Sequence, residues 1–168
     1  MNDNRYDTII IGAGPGGMTA AIYSAREKLK TLILEKGICG GLVATTHLIE
    51  NFPGFPDGVG GAELMEKFSK QAKRFGAEEH RFEEVTEIGL SENGDFMVRT
   101  VSAEYSAPTI ILATGSVPKI LGIPGEKELR GRGVSYCAVC DGLFFEGLDV
   151  AVIGCGNSGL QEGEGLLK

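Results

Sequence analysis

The chain contains no Trp and only 2 His, and aromatic residues fill 7% of its 168 positions. No apolar run approaches the ~20 residues of a membrane-spanning helix, so no membrane partner is expected. Four Cys are too few to staple a small secreted domain. The polar start Met1–Asp7 and the short run Thr8–Ile11, which leads straight into glycines, lack the layout of a signal peptide. The expected compartment is the cytoplasm. Positive charge is scarce: 16 Lys and Arg face 23 Asp and Glu, giving −7 and a pI near 4.9. Such a balance suits neither DNA nor an anionic membrane, and no nucleic-acid partner is expected. His47 and His80 lack a nucleophile–base arrangement, so Ser/His hydrolysis has no support. Together with Cys39 and Cys155 they show no zinc-ligand spacing, and no metal is expected.

What is present is apolar and rich in glycine. Apolar residues make up 42% of the chain and charged ones 23%, which excludes disorder, and the 26 Gly sit in clusters between apolar runs. The length suits one domain, or one and the beginning of another. Tyr6–Ile11 predicts a strand buried on both faces. Gly12-Ala13-Gly14-Pro15-Gly16-Gly17 follows, then the Ala-rich helical stretch Met18–Lys30, with Pro15 suited to the helix start. Thr31–Leu34 predicts a second buried strand ending in Glu35, which completes a βαβ unit.

Gly37–Gly61 has no period and holds Pro53, Pro56 and seven Gly; a loop this long in a compact domain points to a ligand. Ala62–Phe75 predicts an amphipathic helix with Leu64, Met65, Phe68, Ala72 and Phe75 on one side. Short alternating strands are expected from Glu79 to Tyr105, with a turn at Asn93-Gly94. The charged cluster Glu78–Glu84 is read as a solvated strand edge. Thr109–Ala113 predicts one more apolar strand, and the Gly- and Pro-rich stretch to Gly133 a crossover between domains. A second strand, Asp149–Ile153, leads into Gly154-Cys155-Gly156-Asn157-Ser158-Gly159 and a helix start. Cys39 and Cys155 are read as small buried thiols, and Phe52, Phe55, Phe144 and Phe145 as core.

Two constellations carry chemistry. In a strand–GxGxxG–helix unit a dinucleotide pyrophosphate sits on the helix N-terminus, where free N–H groups and the helix dipole favour negative charge. Gly12 makes the tight turn, Gly14 admits the phosphates, and Gly17 allows helix and strand to pack closely. Glu35, 23 residues after Gly12, stands where a ribose would be hydrogen-bonded. The second constellation is Cys137-Ala138-Val139-Cys140-Asp141. Two thiols three apart close a small disulfide ring and exchange it with a partner, and Asp141 is placed for general acid–base work. Half a zinc site and two inert cysteines are the alternatives. A CxxC between two glycine turns suggests electrons passing from a nicotinamide through a flavin to a disulfide.

The stretches GAGPGG (12–17), EKGICGGL (35–42), ENFPG (50–54), ILATGS (111–116), GRGVSYCAVCDG (131–142) and VAVIGCGNSG (150–159) resemble the low-molecular-weight thioredoxin reductases, a class of pyridine nucleotide-disulfide oxidoreductase. The resemblance covers essentially the whole chain but only the N-terminal half of a family member. It implies an α/β, Rossmann-like FAD/NAD(P)-binding fold in three ββα layers. Residues 1–116 would be the incomplete FAD-binding domain, and 117–168 the start of an NAD(P)H-binding domain carrying the CxxC. The implied reaction is reduction of a thioredoxin-like protein disulfide by NADPH through FAD, in a homodimer when full-length. A related flavoprotein fed by ferredoxin or serving another disulfide, and an inactive nucleotide-binding fragment, are the alternatives.

Carried over by position, FAD contacts would come from Gly12, Gly14, Pro15, Gly17, Glu35, Lys36, Gly40, Gly41, Leu42, Asn51, Val85, Ala113, Thr114 and Gly115. Gly154, Gly156, Asn157 and Ser158 would receive NADPH. Cys140 would be the thiol nearest the flavin, Cys137 the one that exchanges with the protein substrate, and Asp141 the acid–base. Leu42 replaces the family's usual Gln beside the isoalloxazine ring, and Gly159 stands where Ala is common. Gly159, Gly163 and Gly165 predict a frail last helix, since each helical Gly costs about 1 kcal/mol against Ala.

Overall fold

The computed structural model describes residues 4–167; residues 1–3 of the polar lead, and Lys168, lie outside the described residues. The chain forms two compact units, parted between Ser116 and Val117. No helix among the described residues is long and apolar enough to cross a membrane.

In the first unit, the triple-Ile run forms β1 (Thr8–Ile11). Helix α1 (Pro15–Arg26) begins with Pro at its first position, where a missing N–H costs nothing. It ends four residues short of the expected Lys30. Lys28 takes the left-handed conformation (φ 66°), and Leu29 N–H donates back to Ser24 O at 3.1 Å. β2 (Thr31–Glu35) then lies parallel to β1, with Ile9 opposite Leu32 and Ile11 opposite Leu34. Helix α2 (Gly61–Arg74) turns Leu64, Met65 and Ala72 inward.

β3 (Glu78–Arg81) pairs parallel with β2, not with the strands that follow it. β4 (Val85–Leu90), β5 (Phe96–Thr100) and β6 (Glu104–Ala107) form an antiparallel sheet, with a register shift between Val85 and Glu87. β7 (Thr109–Leu112) returns to pair parallel with β1. The parallel sheet therefore reads β3-β2-β1-β7. Strand order reverses at β1, and in such sheets ligands bind beyond the carboxyl ends of the strands at that point.

β1 and β2 are apolar on both faces because both faces are covered. Ile10 and Ile33 pack with Met18, Ala21, Ala25, Met65 and Ala72 of the two helices. Ile9, Ile11, Leu32 and Leu34 pack on the other side with Val98, Tyr105 and Ala107 of the antiparallel sheet. The outcome is the expected α/β fold in three ββα layers. Ile9, Ile10, Leu32 and Ile33 are wholly buried, each worth roughly 1.5–3 kcal/mol relative to exposure.

The charged edge at β3 is less solvated than its composition suggests. The Glu79 side chain is fully buried and accepts from Ser69 Oγ at 2.6 Å, Arg81 Nε at 2.5 Å and Lys73 Nζ at 3.3 Å. The long loop is also partly ordered, by a 3-10 turn at Gly41–Thr45 and a bridge between Ile49 and Val59.

In the second unit, helix α3 (Ala138–Asp141) is followed by a 3-10 turn at Gly142–Phe145 and by helix α4 (Asn157–Gly165). Its long loop is organised by Glu126, whose carboxylate accepts from Leu121 N at 3.0 Å, Gly122 N at 2.7 Å and Tyr136 Oη at 2.6 Å. The expected strand Asp149–Ile153 does not form: among the described residues its backbone has no ladder partner, and Val150, Val152 and Ile153 are exposed. Apolar β-branched residues favour extended backbone, but a strand exists only where a neighbour takes its hydrogen bonds. Cys155 and Phe144 are exposed as well, not buried as expected. Phe52 stacks instead with Phe55 and Phe68, at centroid distances of 6.1 and 5.7 Å.

Two stability measurements test this packing. A Cβ on Gly17 would stand 1.9 Å from Gly12 O, whereas one on Gly16 would meet nothing within 4 Å. In urea denaturation Gly17→Ala is expected to cost about 2–3 kcal/mol and Gly16→Ala to be neutral or slightly stabilising. Burial pushes the Glu79 carboxyl up, but the hydrogen bonds from Ser69 and Arg81 outweigh it and hold the group below its ordinary 4.5. Its contribution is therefore full above about pH 4.5 and lost as pH falls through the lower folded-state value. Glu79→Gln is expected to flatten the acid limb of stability against pH.

Candidate dinucleotide cradle and redox disulfide

The first glycine turn lies at the carboxyl end of β1, where strand order reverses. Gly12 adopts φ 103°, and a Cβ there would fall 2.3 Å from Ala113 O at the end of β7. Ala113 N–H in turn donates to Ile11 O at 2.8 Å. Gly17 presses the first turn of α1 onto the Gly12 carbonyl. The start of α1 carries no capping side chain and no acidic residue in its own first turn, so its free N–H groups stay open to an anion.

The loop after β2 closes the cradle from the other side. Gly40 N–H donates to Ala13 O at 2.8 Å, and a Cβ on Gly41 would stand 3.2 Å from Gly14 Cα. Two glycine backbones thus face each other over the start of α1. Glu35 binds both ends of this arrangement, accepting from Ala13 N–H and Gly37 N–H at 2.9 Å each. Pro15 opens α1, while Lys36 and Leu42 are exposed beside the loop. Thr114 and Gly115 follow β7, exposed; Asn51 is exposed in the turn after Ile49, and Val85 opens β4. Gly12, Gly14, Gly17, Glu35, Gly40, Gly41 and Ala113 are brought together, whereas Asn51 and Val85 stand on other segments. These residues fit a dinucleotide: side-chain-free backbone, an uncapped helix start and an oriented carboxylate.

In the second unit, Cys137 and Cys140 are joined in a disulfide. Cys140 N–H donates to Cys137 Sγ at 3.2 Å. Asp141 ends α3, and its carboxylate accepts from Ser135 Oγ at 2.6 Å. Ser135 Oγ also accepts from Cys137 N–H at 3.1 Å. The Glu162 carboxylate of α4 accepts from Ala138 N–H. Neither Ser135 nor Glu162 stands out in the sequence. Ser135 is an ordinary Ser two residues before a Cys, and Glu162 lies 24 residues from its partner.

The second glycine turn repeats the first at its tightest point. Gly154 adopts φ 119°, and a Cβ on Gly159 would stand 2.2 Å from Gly154 O, as Gly17 does against Gly12. Gly159 is thus a position of close backbone approach. Gly156 precedes α4 in extended conformation without a side-chain cap, and Asn157 and Ser158 are its first residues.

Over residues 6–167 the sequence matches the pyridine nucleotide-disulphide oxidoreductase family. The chain belongs to that family. Among its relatives is a thioredoxin reductase of Bacillus subtilis (strain 168), 50% identical over 158 residues, which are 94% of this chain and 49% of that protein. A thioredoxin reductase of Listeria innocua is 46% identical, over 97% of this chain and 50% of its own length. Among solved structures, the thioredoxin reductase of Streptococcus pyogenes superposes with a TM-score of 0.89 at 43% identity, covering 99% of this chain and 53% of that one. The chain thus spans about half the length of these relatives. Membership in this family implies a flavin and a nucleotide as cofactors.

The two free thiols make a direct check on the site. Burial, then the neighbouring Glu79 carboxylate, pushes the Cys39 thiol from 9.0 up to about 12, whereas Cys155 is exposed. At pH 8 only on the order of 10⁻⁴ of Cys39 is thiolate, the reactive form. Iodoacetamide labelling read by mass spectrometry is expected to modify Cys155 at least about 100-fold faster than Cys39.

Proposed function

We propose that this chain supplies the flavin-dinucleotide cradle and the redox pair of an enzyme that reduces a thioredoxin-like protein disulfide with electrons from NADPH. The observation that carries the reading is a closed CxxC disulfide with Asp141 hydrogen-bonded beside it, in the same chain as the facing Gly14 and Gly41 backbones. FAD, when bound, supplies the two-electron step between the nicotinamide and the disulfide.

Residues 1–116 form the FAD-binding part in this reading. Gly12, Gly14 and the Gly40–Gly41 loop would hold its pyrophosphate at the start of α1, and Glu35 would hydrogen-bond the ribose. Lys36, Leu42, Asn51, Val85, Ala113, Thr114 and Gly115 line the rest of its path. Residues 117–168 begin the NADPH-binding part, with Gly154, Gly156, Asn157 and Ser158 at the nucleotide. Full-length, the protein acts as a homodimer.

The thiol chemistry runs through the pair. In the reduced state Asp141 takes the proton of Cys137, whose sulfur attacks one sulfur of the substrate disulfide; that S–S bond breaks, and the departing sulfur takes the same proton back from Asp141. The Cys140 thiolate then attacks Cys137 in the mixed disulfide, expelling the second substrate sulfur, which takes a proton from solvent. The Cys137–Cys140 disulfide re-forms, and the substrate leaves with two thiols.

The reading is tested in the isolated chain and in a chimera completed with the remaining half of the Bacillus subtilis thioredoxin reductase. The isolated chain is expected to lose added FAD on dialysis. The chimera is expected to stay yellow and to oxidise NADPH when given an oxidised thioredoxin. Cys137→Ser or Cys140→Ser should lower that rate by on the order of 10³-fold. A chimera that takes electrons from reduced ferredoxin and none from NADPH would overturn the donor, and full activity in both Cys variants would overturn the route.

A further inference from the structure

We propose that Ser135 is a positioning residue that fixes the Asp141 carboxylate against the redox pair. The inference rests on the reading of Cys137 and Cys140 as a working dithiol. One hydroxyl group serves both sides of the motif: it donates to Asp141 Oδ2 at 2.6 Å and accepts from Cys137 N–H at 3.1 Å. A hydroxyl has a single proton to give. The Cys137 carbonyl, at 3.2 Å, is the longer alternative for it, and the 2.6 Å contact to Asp141 is the better hydrogen bond.

Asp141 is thereby held through Ser135, six residues earlier in the chain, to the backbone of the first cysteine. Among the described residues its carboxylate has no other side-chain donor, so loss of the hydroxyl would free it to turn about its own torsions. The Cys137 N–H loses its acceptor at the same time. Glu162, which meets the motif from α4 at Ala138 N–H, bonds to neither Ser135 nor Asp141 and does not substitute for either. The hydrogen bonds of Ser135 go to Asp141 and to the Cys137 backbone, so it acts through Asp141 and not on the reacting atoms.

The test follows reduction of the disulfide in the whole chain by dithiothreitol at pH 7, quenched by alkylation and read by mass spectrometry. The reagent thiolate attacks the disulfide, the S–S bond breaks, and dithiothreitol ends as its cyclic disulfide with two protons left on Cys137 and Cys140. Wild type, Ser135→Ala, Ser135→Thr, Asp141→Asn and the Ser135→Ala/Asp141→Asn double variant are compared, with thermal melting to show that each is folded. Ser135→Ala is expected to react roughly tenfold more slowly, the scale of one hydrogen bond. Ser135→Thr, which keeps the hydroxyl, should stay within about twofold of wild type, and the double variant should be no slower than Asp141→Asn alone. A Ser135→Ala variant as fast as wild type overturns the proposal, and so does an equal slowing in the Asp141→Asn background. A wild-type disulfide that resists reduction until the chain unfolds overturns the dithiol reading first, and this inference with it.

Discussion

The structure depends on backbone packed against backbone at the carboxyl end of β1. Gly17 lets the first turn of α1 press on the Gly12 carbonyl, and Gly12 lets the end of β7 approach from the opposite side. Any side chain at either place would push apart the helix, the central strand and the edge strand. The approach sets the angle at which α1 leaves the sheet, and so where its uncapped start points. It also leaves the space that the Gly40–Gly41 loop closes from the far side. The covered faces of β1 and β2 supply the stability, while the glycine contact decides the shape.

The second unit repeats that contact with far less to support it. Gly154 and Gly159 meet as Gly12 and Gly17 do, yet the residues before Gly154 have no neighbouring strand among those described. Polar anchors take the place of a core there. Glu126 gathers two backbone N–H groups and the Tyr136 hydroxyl, while Ser135 and Glu162 tie the CxxC segment to Asp141 and α4. Directional bonds of this kind hold a short segment in one geometry without burying much apolar surface.

Much of this was legible in the sequence because the relevant rules are local. A triple-Ile strand, a glycine turn, Pro at the first helical position and a Glu at the end of the next strand each signal through neighbours a few residues away. The reading failed where the decisive partner is remote or missing. Asp149–Ile153 has strand composition but no ladder, and Cys155 sits among glycines yet faces solvent. Glu79 looked like part of a solvated edge until α2 supplied Ser69 and Lys73. Ser135 and Glu162 carried no signal, since a Ser near a Cys and a Glu on a helix are commonplace until their partners are known.

The two N–H groups that hold Glu35 have a consequence for recognition. Each carboxylate oxygen accepts one hydrogen bond from Ala13 or Gly37 and has a second lone pair to offer. In the proposed reading, a sugar hydroxyl arriving there would meet an acceptor already stilled by the main chain. Freezing a free Glu side chain on association would forfeit roughly 0.5–1.5 kcal/mol. Here that loss of motion belongs to folding, and the newcomer gives up only its own.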